Sequence, residues 1–178
     1  MTLTTSGDWV AELVQLHLDA AYNLGRWLLG NEQDAADAVH DAYLRAARSA
    51  HTYAGGNARA WWLAIVRNCC LAMLNARGRD VHRAEAAREG ATAEEGSDVE
   101  TAIQSAQRQE LIEQQLRALP VEFREALILR EIEDLSYREI ADVLQVPIGT
   151  VMSRLSRGRA LLQRAFAGAS REENAHGL

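Results

Sequence analysis

The sequence contains no lysine, only two cysteines and two prolines, and few aromatic residues. The two cysteines, Cys69 and Cys70, are adjacent, which excludes the CxxC spacing of a metal or redox site and predicts reduced thiols in a helical core. Strand-like runs of Val, Ile, Phe and Thr are rare, whereas Ala, Leu, Arg, Glu and Gln are frequent. This composition argues against a sheet and predicts an all-α fold.

Long apolar runs are also missing, and we expect no secretory leader. No apolar stretch approaches the ~20 residues that span a bilayer, and the N-terminus has no basic start followed by an apolar run. We therefore expect a cytoplasmic protein without membrane insertion. The five histidines show no paired ligand spacing, no glycine-rich phosphate loop occurs, and no nucleophile lies beside a plausible base. We accordingly expect no enzyme activity, and no catalytic site, metal, cofactor or small-molecule substrate.

Acidic residues outnumber basic ones, which gives a formal net charge of −6, but the excess is local. Residues 1–79 carry seven arginines and seven acids, and residues 116–166 carry eight arginines and seven acids. Residues 80–115 carry three arginines and nine acids. Because the surplus of acids lies in the middle of the chain, the net charge does not exclude nucleic-acid binding by the flanking segments.

The segment at residues 80–101 has the composition of a linker. It consists mainly of Ala, Glu, Gly, Ser and Asp with almost no large apolar side chain, so it cannot bury enough surface to fold alone. We predict two small helical domains, an N-terminal module at residues 1–79 and a C-terminal module at residues 102–168, joined by this acidic flexible linker. Residues 169–178 are a short tail. Solubilising charge alone explains the linker's acids as well as a specific role does.

The N-terminal module is predicted to contain three helices. The first begins near Asp8 and ends at Gly30, a C-terminal glycine, and Asn31 caps the second. The third begins near residue 58 and ends near residue 76, after a break at residues 51–57. Helical periodicity places these side chains inside: Trp9, Leu13, Leu16, Ala20, Leu24, Trp27, Ala35, Val39, Ala42, Tyr43 and Ala46.

The C-terminal module contains a helix-turn-helix pattern. Ser136 and Glu139 form the capping box of its first helix. Gln145 and Val146 make the turn, and Pro147 is expected as the first residue of the second helix. The predicted inward stripe of that second helix consists of Ile148, Val151, Leu155, Gly158 and Leu162.

The second helix of this pattern is basic. From residue 148 to residue 166 it carries four arginines and no acid. A helix with this charge and with small side chains on its outer face is suited to the major groove of DNA. A solvated basic surface is the alternative, and ordinary N-terminal capping explains Thr150 equally well. The residues predicted to contact DNA are Thr150, Met152, Ser153, Arg154, Ser156, Arg157 and Arg159.

Together the two modules resemble the extracytoplasmic-function group of sigma-70 family sigma factors, which keep only regions 2 and 4. In the C-terminal module the resemblance is carried by Leu119 and Pro120, by residues 135–141 and by residues 149–157. In the N-terminal module, residues 37–45 are similar to the region 2 helix that docks on core RNA polymerase. Residues 60–68 are similar to the promoter-melting segment.

The resemblance implies an alternative sigma factor that binds core RNA polymerase, directs it to minus-35 and minus-10 promoter elements through regions 4 and 2, and initiates transcription. The implied partners are promoter DNA, the clamp helices of the largest polymerase subunit, the beta flap, and an anti-sigma factor that can hold the chain at the inner membrane. The implied docking residues are Asp37, Asp41, Leu44 and Arg48. The implied residues for region 2 DNA binding and melting are Tyr53, Asn57, Arg59, Trp61, Trp62, Arg67 and Asn68.

Several expectations qualify this resemblance. We expect at least one of Trp61 and Trp62 to be buried, because aromatic residues within a helical apolar block are usually core. In related sigma factors the linker runs toward the RNA exit path. The acids of the linker suit this path, because its basic walls normally meet RNA phosphates. The same acids lower the affinity of the free chain for DNA, so we expect weak promoter binding without polymerase.

The chain departs from the family pattern at five positions, so the resemblance does not predict its promoter preference. These positions are His40, Ala47, Ala72, Asn75 and Met152. Met152 replaces a residue that is often basic with an apolar one, which can meet a thymine methyl. Two other functions stay open on the sequence: a polymerase-independent helix-turn-helix transcription factor that binds DNA as a dimer, and a helical interaction module that does not bind DNA.

Overall fold

The computed structural model describes residues 8–85 and 103–175, with side chains over residues 9–79 and 110–167. All regular structure in these ranges is helical, as the composition predicted. The elements are α1 (Asp8–Leu16), α2 (Leu18–Leu29), α3 (Glu32–Ser49), a 3-10 turn (Ala50–Thr52), α4 (Ala58–Glu85), α5 (Ile103–Ala118), α6 (Val121–Leu127), a π turn (Ile128–Ile132), α7 (Tyr137–Leu144) and α8 (Ile148–Ala175). The N-terminal module contains α1 to α4, and the C-terminal module contains α5 to α8.

Two helices extend past the predicted module boundaries. α4 continues beyond residue 79 to Glu85, and α8 continues beyond residue 168 to Ala175. The beginning of the predicted linker and most of the predicted tail are therefore helical. The rest of the predicted linker lies outside the described residues.

Helix ends in the N-terminal module follow the predicted signals, except at one break. Gly30 ends α2 in the left-handed conformation at φ 84°, and Asn31 caps α3 by accepting a 2.8 Å hydrogen bond from the Asp34 N–H. His17, at φ −120° and ψ 23°, interrupts the single first helix that was predicted. The buried side chains of Val10, Leu13, Ala20 and Leu24 nevertheless continue one stripe across the two pieces. Leu16 lies off this stripe and is 77% exposed, so its predicted inward position is wrong.

The core of the N-terminal module lies between α2, α3 and α4. Val39 and Trp62 are buried there. α2 and α3 approach closely at Gly25, because a Cβ at that position would lie 3.3 Å from the Cα of Ala35. Tyr43, which was predicted inside, is 36% exposed because it lines an open groove beside α1, α2 and α3.

The C-terminal module packs α6 against α8 and arranges α7 and α8 as a helix-turn-helix. Ser136 and Glu139 form the predicted capping box of α7, and Gln145 ends this helix at φ 54°. The carbonyl of Pro147 accepts a 2.9 Å hydrogen bond from the Thr150 N–H. Pro147 therefore lies directly before α8, which begins at Ile148, and is not the first residue of the helix as predicted.

α8 buries most of its predicted inward stripe. Val151, Leu155 and Gly158 are buried, and Leu162 is half-buried. Ile148 is 43% exposed, so its predicted core position is wrong. The reason is that the first turn of α8 is open to solvent, and the helix meets the core only from its second turn onward.

The two modules pack against each other. α4 contacts α7, and α2 contacts α6. One cluster of buried apolar side chains spans both modules and includes Leu24, Val66, Leu127 and Ile140. Nη1 of Arg124 adds a polar link by donating to the carbonyl of Leu28 at 3.3 Å. Within the described residues, the two helical domains therefore form one packed body.

Candidate nucleic-acid interface

The outer face of α8 is the face that was predicted to recognise DNA. Met152 is 53% exposed, and Ser153, Ser156 and Arg157 are exposed beside it. Both serines are short, which lets the helix approach the edges of bases in a groove. Across the described part of the chain no ion pair involves Arg157, so its guanidinium is available to a phosphate or a guanine.

Two other arginines of the predicted recognition surface are bound by carboxylates. Nη1 of Arg154 donates to Oε1 of Glu125 at 3.1 Å. Nε and Nη2 of Arg159 donate to Oε1 of Glu131 at 3.1 and 2.6 Å, and this hydrogen bonding raises the pKa of Arg159. Thr150 is half-buried. In this conformation, these N–H groups of Arg154 and Arg159 are bound to carboxylates within the protein.

An aromatic cluster supports the loop at residues 53–57. The ring centroid of Tyr53 lies 5.1 Å from that of Trp9 and 5.5 Å from that of Trp61, and the two tryptophan rings are 5.5 Å apart. The Tyr53 hydroxyl donates to the carbonyl of Gly56 at 2.6 Å. Gly56 has a φ of 99°, which side chains other than glycine rarely allow. Helical spacing predicted only a core position for Trp9, because such spacing carries no signal for this contact.

Trp62 does not belong to the exposed surface. Its side chain is fully buried, whereas that of Trp61 is half-buried in the aromatic cluster. Adjacent positions on an α-helix point roughly 100° apart around the axis, so one of the two side chains faces the core. The predicted DNA contact of Trp62 is therefore wrong for this conformation. The expectation that at least one of the two tryptophans is buried is confirmed.

Asn57 and Arg59, which were predicted to contact DNA, bind acidic residues of the C-terminal module. Nδ2 of Asn57 donates to Oε1 of Glu139 at 3.0 Å. Nη2 of Arg59 donates to the carbonyl of Glu133 at 3.1 Å and lies 3.6 Å from its carboxylate Oε2. Asn68, which was also predicted to contact DNA, is exposed.

Glu125 is a buried carboxylate that bridges the two modules. Only 1% of its surface is exposed. Nε of Arg67 donates to its Oε2 at 2.7 Å, and its Oε1 accepts from Nη2 of Arg67 at 2.9 Å and from Nη1 of Arg154 at 3.1 Å. Buried carboxylates require partners of this kind. The role of Glu125 could not be predicted from the sequence, because no local pattern distinguishes this residue from a solvated acid.

The outer face of α3 carries the predicted docking residues. Asp37, Leu44 and Arg48 are exposed, and Asp41 pairs with Arg45 at 2.7 Å across one helical turn. Beside this face lies an open, mainly apolar groove of about 580 Å³, whose lining includes Val14, Leu18, Tyr22, Val39 and Tyr43. Within the described ranges, no hydrogen bond or ion pair ties the four docking residues to the C-terminal module. The docking face is therefore open while the modules are packed together.

Cys69 and Cys70 are free, buried thiols, as predicted. Burial raises the pKa of Cys69 to about 11 and that of Cys70 to about 12. Such thiols stay protonated at neutral pH and are poor nucleophiles and metal ligands.

In residues 8–85 and 103–175, no group of three or more His, Cys, Asp or Glu side chains is arranged to hold a metal. Nor does a helix in those ranges have the length and apolar character to cross a membrane.

Comparison with known proteins places both modules in one family. The sequence model described as "Sigma-70 region 2" matches residues 13–80, and the one described as "Sigma-70, region 4" matches residues 109–162. The ECF RNA polymerase sigma factor SigE of Mycolicibacterium smegmatis is 36% identical over 161 residues, which cover 90% of this chain and 63% of that protein. The RNA polymerase sigma-H factor of Pseudomonas aeruginosa is 36% identical over 148 residues, covering 79% and 77%. ECF RNA polymerase sigma factor SigW of Bacillus subtilis is 30% identical over 165 residues, covering 88% of each chain.

Solved structures show the same architecture. The sigma factor RpoE from Bartonella quintana, in complex with the anti-sigma factor NepR, matches with a TM-score of 0.69 and 26% identity, covering 88% of this chain and 96% of that one. CnrH, in complex with the cytosolic domain of CnrY, matches with a TM-score of 0.61 and 23% identity, covering 89% and 88%. The likeness to CnrH concerns the fold alone.

Proposed function

The chain belongs to the extracytoplasmic-function group of sigma-70 family RNA polymerase sigma factors, and on this premise we propose that it binds core RNA polymerase and directs it to specific promoters. The N-terminal module acts as region 2 at residues 1–79, the C-terminal module as region 4 at residues 102–168, and residues 80–101 connect them. The observation that carries the proposal is the exposed outer face of α8 on a capped helix-turn-helix, which carries no acid over residues 148–166.

In this proposal α8 is the recognition helix for the minus-35 element. Arg157 contacts a phosphate or a guanine edge, and Ser153 and Ser156 let the helix approach. The open first turn of α8 offers backbone N–H groups and the positive end of the helix dipole to a phosphate. Arg154 and Arg159 join the DNA contact only after they leave Glu125 and Glu131.

The loop at residues 53–57 and the aromatic cluster beneath it handle the minus-10 element. A separated DNA strand is held by stacking on aromatic rings and by basic side chains. Tyr53 and Trp61 supply rings, and Arg59, Arg67 and Asn68 supply polar contacts. Trp62 supports α4 from the core and does not touch DNA.

The outer face of α3 docks on the clamp helices of the largest polymerase subunit through Asp37, Asp41, Leu44 and Arg48. The C-terminal module meets the beta flap, and an anti-sigma factor controls the chain. The chemistry of RNA synthesis belongs to the polymerase, so the chain itself is not an enzyme. Its place of action is the cytoplasm, where polymerase and promoters are found.

The test is run-off transcription by core polymerase with this chain on a promoter library. Arg157→Ala is expected to lower promoter output roughly tenfold, because a lost base or phosphate contact is worth about 1–3 kcal/mol. The Arg157→Ala variant is expected to bind core polymerase as tightly as the unmodified chain does. Arg164→Ala, on the same helix outside the proposed contact set, is the matched control and retains output.

Three outcomes contradict the proposal. Absence of both core binding and transcription by the unmodified chain removes the sigma-factor assignment. A palindromic footprint made by the protein alone as a dimer favours a polymerase-independent transcription factor. Unchanged transcription after Arg154→Ala and Arg157→Ala together favours a helical interaction module whose basic helix is only surface.

A further inference from the structure

One ring of the aromatic cluster comes from outside the loop that it supports. Trp9 is the second residue of α1, whereas Tyr53 belongs to the loop and Trp61 to α4. The ring of Trp9 lies 5.1 Å from that of Tyr53 and 5.5 Å from that of Trp61, at interplanar angles of 34° and 35°. Aromatic rings at such distances attract each other. Trp9 therefore joins α1 to the loop and to α4 at one point.

Packing of α1 fixes the backbone that carries Trp9. Val10, the next residue, is fully buried, and Leu13 is buried about one turn further along the helix. Through these side chains α1 belongs to the apolar core and contacts α3 and α4. The ring of Trp9 is half-buried beside them. Trp9 therefore gives the loop a support whose position does not depend on the loop itself.

We name residues 53–57 the melting loop, because the proposed function assigns the opening of the minus-10 element to them. Tyr53 is half-buried, whereas the other four residues of this loop are exposed. Gly55 and Gly56 have φ values of 92° and 99°, and a Cβ at either position would meet nothing within 4 Å. The tip of the loop therefore lies in open space and has the backbone freedom of glycine. Within these five described residues, side-chain packing holds the loop at Tyr53.

Hydrogen bonds carry the position of Tyr53 along the melting loop. The hydroxyl of Tyr53 donates to the carbonyl of Gly56 at 2.6 Å, which closes the loop onto the ring. The end of the loop is tied to α4, because Oδ1 of Asn57 accepts a 3.0 Å hydrogen bond from the Ala60 N–H. One end of the loop therefore stays with α4, and the ring of Tyr53 sets the shape of the rest.

We propose that Trp9 is a positioning residue for promoter opening, which holds the ring of Tyr53 and so keeps the melting loop in the shape that receives an unpaired base. This inference rests on the proposed function. Removing a base from the duplex costs stacking and pairing energy. A loop that is already shaped adds no ordering cost to this step, whereas a loop released from Trp9 must lose its freedom at the same moment. Trp9 therefore acts on strand opening and not on polymerase docking.

The test compares Trp9→Ala with the unmodified full chain, each bound to core polymerase on a duplex promoter that the unmodified chain transcribes. Permanganate, which oxidises unpaired thymines, follows strand opening with time. The matched control is Trp27→Ala, because Trp27 is also a half-buried tryptophan that packs against the core of the same module. Trp27 is not a member of the aromatic cluster. A further variant, Trp9→Phe, keeps a ring on α1.

Trp9→Ala is expected to open the promoter roughly fivefold more slowly than Trp27→Ala, which is the size of effect that loss of an aromatic contact produces. Trp9→Phe should recover most of this rate, because phenylalanine keeps a ring against Tyr53. All three variants are expected to bind core polymerase as tightly as the unmodified chain does. On a template whose minus-10 element is already unpaired, Trp9→Ala and Trp27→Ala should transcribe equally, because strand opening no longer limits the rate.

Two results overturn the inference. Equal opening rates for Trp9→Ala and Trp27→Ala show that Trp9 does not position the melting loop. Equal losses by Trp9→Ala on the duplex and the unpaired template, or weaker binding to core polymerase, show that Trp9 only stabilises its module. Circular dichroism checks the helicity of each variant. If Trp9→Ala does not fold, Trp9→Leu, which fills the site without a ring, replaces it in the same comparison.

Failure of this inference is distinguishable from failure of the proposed function. If the unmodified chain transcribes with core polymerase while the Trp9 variants match the control, the sigma-factor proposal stands and only the role of Trp9 is wrong. If the unmodified chain neither binds core polymerase nor transcribes any promoter of the library, both fall.

Discussion

Adjacent side chains in this protein have opposite environments. Trp61 lies half-buried in the aromatic cluster with Trp9 and Tyr53, and Trp62 is fully buried in the core. The indole Nε1 of Trp62 has no hydrogen-bond partner among the described residues. Its contribution is therefore apolar packing, while Trp61 offers part of its ring to the outside.

Trp62→Ala is expected to lower the free energy of unfolding by about 3–5 kcal/mol, the usual cost of removing a buried aromatic side chain. Trp61→Ala should cost less, because its ring is already partly in water. Urea unfolding followed by circular dichroism measures both values. Equal losses for the two variants would contradict the assignment of Trp62 to the core.

The two thiols are expected to be inert in the folded protein. Burial raises the pKa of Cys69 to about 11 and that of Cys70 to about 12, so almost no thiolate is present at pH 8. Iodoacetamide reacts with thiolate. Mass spectrometry should find both residues unmodified in the native protein and both alkylated in urea. Fast labelling of the native protein would show that the core around α4 opens readily.

Packing between helices determines the residue at one position of α8. A Cβ at Gly158 would lie 2.9 Å from Cδ1 of Leu127 and 3.3 Å from Cβ of Phe123. Leu127 is 3% exposed and has little room to move. Gly149 lies on the same helix, and a Cβ there would meet nothing within 4 Å.

Gly158→Ala is expected to destabilise the protein by about 1–3 kcal/mol, because overpacking a tight contact outweighs the better helix propensity of alanine. Gly149→Ala is the matched control and should be neutral or stabilising by up to about 1 kcal/mol. Thermal unfolding of both variants provides the comparison. Destabilisation by Gly149→Ala alone would contradict the close approach of α6 and α8.

The start of α7 is expected to be sensitive to acid. Hydrogen bonds from the backbone N–H and then the hydroxyl of Ser136 lower the pKa of Glu139 from its usual 4.5, and Asn57 and Arg59 lower it further. The stabilisation from this carboxylate is therefore present above about pH 4.5 and is lost as the pH falls through the lower, folded-state value.

Comparison with Glu139→Gln isolates this effect, because glutamine can serve in a capping box but does not titrate in this range. Between pH 5 and pH 3, the unmodified protein should lose more stability than the variant. Melting temperatures across this pH range measure the difference. Parallel pH profiles for the two proteins would show that the ionised carboxylate does not stabilise α7.

Across the whole molecule, the acids act over two ranges. The net charge of −6 repels phosphates at long range, which is why the sequence predicts weak binding by the free chain. At short range, Glu125 holds Arg67 and Arg154, two residues that the proposed function assigns to DNA. Salt screens the first effect much more than the second, because contacts around buried Glu125 are shielded from solvent.

The packed body is expected to unfold as one unit. All four tryptophans, Trp9, Trp27, Trp61 and Trp62, lie in the N-terminal module, so tryptophan fluorescence reports on that module. Circular dichroism reports on the helices of both modules. Because one apolar cluster spans the modules, the two signals should give coincident urea transitions. Two separated transitions would show that the modules are stable independently of each other.

Features that depend on neighbours in the chain were predictable. The capping box at Ser136, the left-handed Gly30, the Asn31 cap and the outer face of α8 all involve residues within a few positions of one another. Such features follow from hydrogen bonding and helical periodicity, both of which can be read locally. The matches to sigma-70 regions 2 and 4 agree with the helical modules predicted from these local features.

Features that depend on contacts between distant residues were not predictable. Periodicity placed Leu16, Tyr43 and Ile148 inside, but all three are exposed. Leu16 lies beside the buried stripe, Tyr43 lines an open groove, and Ile148 lies in the uncovered first turn of α8. Periodicity finds an apolar stripe, but not which part of that stripe another helix covers. For the same reason, the sequence did not distinguish Trp62 from Trp61.

The sequence alone determined an all-α protein with two helical modules and a basic recognition helix, because composition, caps and periodicity act over one or two helical turns. Only the tertiary structure decided which charges meet. Arg67 and Glu125 are 58 positions apart, and Arg154 reaches the same carboxylate from the other side. Burial of Glu125 at the contact between modules selects these partners, since a carboxylate removed from water needs cations that only packing can bring together.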